Sequence, residues 1–189
     1  MNKVKLHWAK PNHATAIARI YEPIVRDTAI SFEVESPSPK AIAERIEKIK
    51  TNNPYIVAMI DNVVVGYAYS IDFRTRKAYC FTKEATVYVH EEYRKQGIAS
   101  VLYEKLIEIL KAQGVVKVMA VITIPNDKSV RFHEKLGFYL SGTITNAGYK
   151  FNQFWDVCFY EKTFDENLVD SPKLREWFEV KNEFLEIAV

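Results

Sequence analysis

The chain has 189 residues, 48% hydrophobic and 13% aromatic, which suits one domain with a good core and excludes a disordered chain. Its 26 basic and 24 acidic residues leave a net charge of +2, too balanced to argue from charge for nucleic acid or a membrane surface. M-N-K-V-K-L-H-W lacks the apolar stretch of a signal peptide and no run approaches the roughly 18 apolar residues of a spanning helix, so the expectation is a cytoplasmic protein with no membrane partner.

In chain order, residues 3–8 alternate weakly as a first strand. From Pro11 to Ile24 apolar residues recur at helical spacing (Ala14, Ile17, Ala18, Tyr21, then Val25). A Pro- and Ser-containing loop follows, and Ser38-Pro39 places a cap residue and a first-turn proline ahead of a helix to about Lys50, with Ile42, Ile46 and Ile49 buried. Y-I-V-A-M-I (55–60), the turn D-N and V-V-V-G-Y-A-Y-S-I-D (63–72) read as a hairpin. A basic, aromatic connector (73–82) leads to the β-branched strand E-A-T-V-Y-V-H (84–90). Residues 97–113 form a helix with Ile98, Val101, Leu102, Leu106, Ile109 and Leu110 on one stripe, stopped by Gly114. V-K-V-M-A-V-I-T-I (116–124) is apolar enough for a strand covered on both faces. A short helix closed by Gly137 and two strands, about 138–146 and 153–162, complete the order β-α-α-β-β-β-α-β-α-β-β. In residues 165–189, Ser171-Pro172 starts a helix with Leu174, Trp177, Phe178, Lys181, Phe184, Leu185 and Ala188 on one face, which either packs on its own domain or, uncovered, meets a partner. Cys80 and Cys158 are too few for a disulfide framework and read as reduced, buried thiols.

The chemistry centres on the junction of strand 84–90 and helix 97–113, where E-E-Y-R-K-Q-G-I-A-S carries Arg-x-x-Gly-x-Ala. Free N–H groups at a helix start favour an anion, and a glycine lets the backbone approach phosphate oxygens. The bare pattern is equally a simple turn; it is neither a Walker loop nor a dinucleotide fingerprint.

With its neighbours the pattern becomes specific. R-K-A-Y-x-F-T-K-E-A-T-V-Y-V (76–89), V-I-T-I-P-N-D-K-S-V-R-F-H-E-K-L-G-F (121–138), A-G-Y-K (147–150) and W-D-V-C-F (155–159) together resemble the phosphinothricin and methionine sulfoximine or sulfone N-acetyltransferase branch of the GNAT acetyltransferases. The resemblance covers roughly residues 3–163. It implies an α+β, three-layer α/β/α fold with a mixed, twisted central sheet over residues 1–164, and leaves 165–189 as a helical extension. It implies acetyl-CoA as co-substrate, a small-molecule amine as acceptor, no nucleic-acid partner, no metal, and a homodimer.

The resemblance also implies a site. The backbone of Val87, Tyr88 and Val89 pairs with the pantetheine arm; Arg94, Lys95, Gln96, Gly97, Ile98, Ala99 and Ser100 cradle the pyrophosphate; Asn126 and Ser129 meet the coenzyme on the next helix. Glu84 is the expected general base, since an α-amine titrating near pH 7.7–8.0 must lose a proton before attack; its bland alternative is a solvated strand-end carboxylate. His133 stands where many GNAT enzymes carry a tyrosine in F-Y-E-K-x-G-F, and is either the acid for the leaving thiolate or a packed core histidine. On the acceptor side Arg76 and Tyr79 match R-x-A-Y, and Arg76 and Lys77 supply cations for a carboxylate, or the run forms a solvated basic loop. Phe32 (with Ser31), Ala85, Thr86 and Lys150 are further acceptor-pocket candidates, against the readings of core aromatic, turn residue and surface lysine. The chain departs from the branch after A-G-Y-K, where Asn152 and Gln153 replace Gly-Arg and Phe154 replaces tryptophan. Neither cysteine occupies a motif position, which argues for direct attack without an acyl-enzyme. The expected reaction is acetyl transfer to a small amino-acid amine; the rivals are a protein N-terminus or polyamine as acceptor, and a non-catalytic acyl-coenzyme A binder.

Overall fold

The computed structural model describes residues 4–170 and 172–184. Seven strands, β1 (Lys5–Trp8), β2 (Tyr55–Ile60), β3 (Val63–Asp72), β4 (Thr82–Val89), β5 (Lys117–Ile124), β6 (Tyr139–Lys150) and β7 (Gln153–Thr163), form one sheet in the order β1-β2-β3-β4-β5-β7-β6. The helices are α1 (Ala14–Asp27), α2 (Pro39–Ile49), α3 (Ile98–Gln113), α4 (Asp127–Lys135) and α5 (Trp177–Glu183). The sheet is mixed, since β4 and β5 pair parallel while every other neighbouring pair is antiparallel. One apolar core gathers α1 and α2 on one face; a second gathers α3 and α5 on the other, so the sheet is the middle of three layers. Among the described residues no helix is long and apolar enough to cross a membrane.

Local chemistry explains most boundaries. Ser38 caps α2 by accepting from the Ala41 amide, with Pro39 in the first turn. Asp61 and Asn62 take positive φ (48° and 64°), as a two-residue hairpin turn requires. Pro11–His13 form a short 3-10 turn, so α1 starts at Ala14, three residues later than its apolar pattern suggests, and runs on to Asp27. The last hairpin is longer than expected: β6 continues through A-G-Y-K to Lys150 and turns at Phe151-Asn152, both at positive φ. Its Gly148 and its outward-facing side chains hide the period-2 signal.

Cys80 sits half-buried in a turn rather than a strand, while Cys158 is buried on β7. The expected helix start at Ser171-Pro172 is also corrected. Residues 172–176 form a strap, and α5 begins at Trp177. The strap is tied to the end of α3: the Arg175 amide donates to the Gln113 carbonyl at 2.8 Å, and the Lys173 carbonyl lies where a Cβ on Gly114 would be, 2.2 Å away. Backbone spent on those contacts cannot wind into a helix. Trp177 and Val180 are buried in the α3-side core, whereas Phe178 is exposed. Leu185 and Ala188 lie outside the described residues.

Candidate active site

The parallel pairing of β4 and β5 lasts only three residues, Thr82–Glu84 against Lys117–Met119. Beyond Glu84 the strands part. Residues 85–89 stay laddered to β3 but have no registered partner on the β5 side. The gap opens into a cavity of about 590 Å³, walled by β4, β5, the start of α4 and the end of α1.

Val87, Tyr88, Val89, Arg94, Ala99, Asn126 and Ser129 all reach the wall of this cavity, as do Ala85 and Thr86. Lys95, Gln96, Gly97, Ile98 and Ser100 shape the loop behind it without lining it. Gly97 takes φ +80° at the start of α3, and a Cβ there would meet nothing within 4 Å, so its need for glycine is conformational and the space beside it is open. Lys95 also has positive φ (63°). Ile98 is buried, so any part it plays at the loop is through its backbone. The Arg94 side chain folds back, Nε donating to the Val89 carbonyl at 3.3 Å, and so ties the loop to the end of β4. Asn126 caps α4, its side chain accepting from the Ser129 amide at 3.3 Å.

Glu84 is the last residue of β4 paired to β5, at the apex of the split. Its carboxylate is half-buried and, among the described residues, has no hydrogen-bond or ion-pair partner. Burial raises its pKa above the ordinary carboxylate range, and the positive charge of Arg74 opposes the rise.

His133 also reaches the cavity wall. It is buried, with Nδ1 2.8 Å from the Ser129 carbonyl and Nε2 3.2 Å from the Tyr103 hydroxyl. A carbonyl only accepts, so Nδ1 carries the hydrogen and Nε2 accepts from Tyr103. Burial lowers the imidazole pKa, outweighing the Ser129 bond. Both ring nitrogens are thus engaged in a ring that also borders the cavity.

Of the acceptor-side candidates, Arg76, Lys77 and Tyr79 lie on the outward connector after β3, none on the cavity wall. Arg76 precedes a 3-10 turn, and Tyr79 packs edge-on against Phe73 with ring centroids 6.1 Å apart. Arg74 of the same run is the cation whose field reaches Glu84. Lys150 was expected at the acceptor pocket; instead its ammonium is buried and donates to the Val25, Thr28 and Ser31 carbonyls at 2.6, 2.9 and 2.7 Å. All three of its donors are used, leaving none for a ligand carboxylate. Phe32 packs its ring against Gly148.

Sequence reading missed the polar group behind the loop. The Tyr21 hydroxyl lies 2.6 Å from Ser31 Oγ and donates to Glu33 at 3.1 Å, and Arg45 grips Glu33 at 2.9 Å. Tyr21 also looks like an ordinary member of an apolar helix stripe, and burial lifts its pKa to about 12. Tyr103 was hidden in the same way on α3.

Residues 17–138 match the model of the Acetyltransferase (GNAT) family. The chain is similar to a phosphinothricin N-acetyltransferase of Streptomyces viridochromogenes, 35% identical over 86% of this chain and 88% of that protein. It is 28% identical to an L-methionine sulfoximine/L-methionine sulfone acetyltransferase of Salmonella typhimurium over 86% of this chain and 95% of the other. Among solved structures, a GNAT superfamily phosphinothricin acetyltransferase from Sinorhizobium meliloti in complex with AcCoA superposes with a TM-score of 0.85 at 31% identity, covering 90% of this chain and 93% of that one.

Proposed function

The chain belongs to the GNAT acetyltransferase family and is an acetyl-CoA-dependent N-acetyltransferase; from that premise we propose that its acceptor is the α-amine of a small amino acid of the phosphinothricin or methionine sulfoximine and sulfone type. The names of the relatives support this acceptor class. The pantetheine arm runs along the open edge of Val87–Val89 as an added strand, and the pyrophosphate takes the first amides of α3 beside Gly97, with Arg94 and Lys95 at the rim. The thioester carbon then lies near the apex of the split.

Glu84 takes a proton from the ammonium of the acceptor, directly or through a water. The neutral amine attacks the thioester carbon, an N–C bond forms as the C–S bond breaks, the nitrogen releases its second proton to solvent to leave the neutral amide, and the coenzyme leaves as a thiolate that is protonated from solvent. The observation that carries the reading is the unpartnered, half-buried carboxylate of Glu84 at the point where β4 and β5 separate. The carboxylate of the acceptor meets Arg74, the connector cation whose charge reaches Glu84. A thiol-release screen across phosphinothricin, methionine sulfoximine, methionine sulfone, spermidine and a peptide N-terminus tests the acceptor class. Turnover confined to the polyamine or the peptide would overturn it.

We also read the chain as a homodimer joined through the β6 edge. β6 is 12 residues long at the rim of the sheet, and Tyr139, Leu140, Ile144 and Tyr149 on it, with Phe154 on β7, are all exposed. Long apolar edges are rarely left uncovered. Ile144→Lys is expected to convert the dimer into a monomer in sedimentation velocity; a wild-type monomer at micromolar concentration contradicts the assignment.

A further inference from the structure

Lys150 and Gly148, both in A-G-Y-K, hold one wall of the cavity from the outside. Thr28 and Ile30 line that cavity. The Lys150 ammonium, 7% exposed, binds the Thr28 and Ser31 carbonyls on either side of Ile30, and the Val25 carbonyl at the end of α1. One residue further, the Phe32 ring covers Gly148 so closely that a Cβ there would fall 2.2 Å from it. The inner side of the loop is held as firmly: Thr28 Oγ1 donates to the Ile24 carbonyl at 2.6 Å and accepts from the Ile30 amide at 3.2 Å, and Ser31 is bonded to Tyr21.

We propose that Lys150 and Gly148 are positioning residues that set the depth of Ile30 in the cavity and so the fit of the acceptor. The inference rests on the proposed function in one respect. With the β4 edge and the start of α3 given to the coenzyme, the wall carrying Thr28 and Ile30 is left to the acceptor. Lysine suits the task because its three donors match three convergent carbonyls. Glycine suits it because only a missing Cβ admits the aromatic ring. Lys150 shapes the site through backbone carbonyls and touches no reacting atom.

The test compares wild type with Lys150→Met, Gly148→Ala and the double variant Gly148→Ala/Phe32→Ala, by steady-state kinetics and by hydrogen–deuterium exchange of the free protein. In Lys150→Met the KM for methionine sulfone should rise tenfold or more, while the KM for acetyl-CoA and kcat stay within twofold. Exchange at amides 28–33 should quicken while 84–89 keep their protection. Gly148→Ala should raise the acceptor KM similarly, and the smaller side chain at position 32 should recover part of the loss. Unchanged exchange at 28–33 in Lys150→Met overturns the proposal without reference to turnover. So does a parallel rise in both KM values, which is the mark of general loosening. Failure of the acceptor assignment looks different: wild type then turns over another amine of the screen, and the KM comparison runs with that amine.

Discussion

Replacing Glu84 with glutamine is expected to lower kcat by about a hundredfold to ten-thousandfold at neutral pH, the usual contribution of a positioned base. The amide keeps the shape and removes the ability to take a proton. The raised pKa of Glu84 places the acid limb of the wild-type rate profile above the ordinary carboxylate range. Below that limb the carboxyl is protonated and idle; above it the base is available. The variant lacks the limb, and its rate should climb as the acceptor amine itself deprotonates near pH 7.7–8.0, so the gap narrows upward in pH. Stability moves the other way. Because folding raises this carboxyl's pKa, its ionisation weakens the fold above the unfolded value, and the weakening fades as pH falls through the folded one. Glu84→Gln should therefore melt no lower than wild type at pH 7. A thiol-release pH series with a thermal melt checks both, and wild-type rates at neutral pH in the variant would remove Glu84 from the chemistry.

The second large effect is on the fold. Trp177→Ala should cost about 3–5 kcal/mol, the range for emptying a buried large aromatic site, and lower the melting temperature by about 6–20 °C for a chain of this size. Trp177 is 6% exposed, its ring meets Trp8 edge-on at 5.5 Å, and Nε1 donates to the Lys50 carbonyl at 3.0 Å. Trp177→Phe keeps most of the packing and loses the donor, so it should fall between the two. A melting temperature within two degrees of wild type in the alanine variant would show that the tail is an accessory.

The parts legible in the sequence were those written in local chemistry. Ser38-Pro39, the Asp61-Asn62 turn and the glycines bounding α3 each mark an element end by a backbone requirement that only a few residue types meet. The strand, loop and helix start proposed for the coenzyme were legible for the same reason, since they are contiguous from Glu84 to Ser100. The wall proposed for the acceptor was not, because it is assembled from distant pieces. Lys150 meets carbonyls more than a hundred positions away, and nothing in A-G-Y-K announces that its lysine points inward. Arg76 and Arg74 are indistinguishable in a run of cations, yet only Arg74 acts on Glu84. His133 shows the limit of positional analogy. It occupies a tyrosine's place in the motif, but nothing in the motif shows the burial and the two partners that surround its ring. The strap before α5 misled because Ser-Pro is a valid helix start locally, and tertiary contacts with α3 override it.

The three-rung junction of β4 and β5 makes the sheet a book with a short spine. Its leaves, β1–β4 and β5–β7, are bound along Thr82–Glu84, with the Phe81 carbonyl accepting from the Val116 and Lys117 amides just before it. A coenzyme arm laid between them breaks no existing rung. On the proposed placement it would add rungs that the diverging strands cannot offer each other, and so would work as mortar as well as reagent. With main chain doing the holding on that placement, side chains along the seam would be free to drift while the donor stays the same, and change in what the enzyme acetylates would fall to the opposite wall.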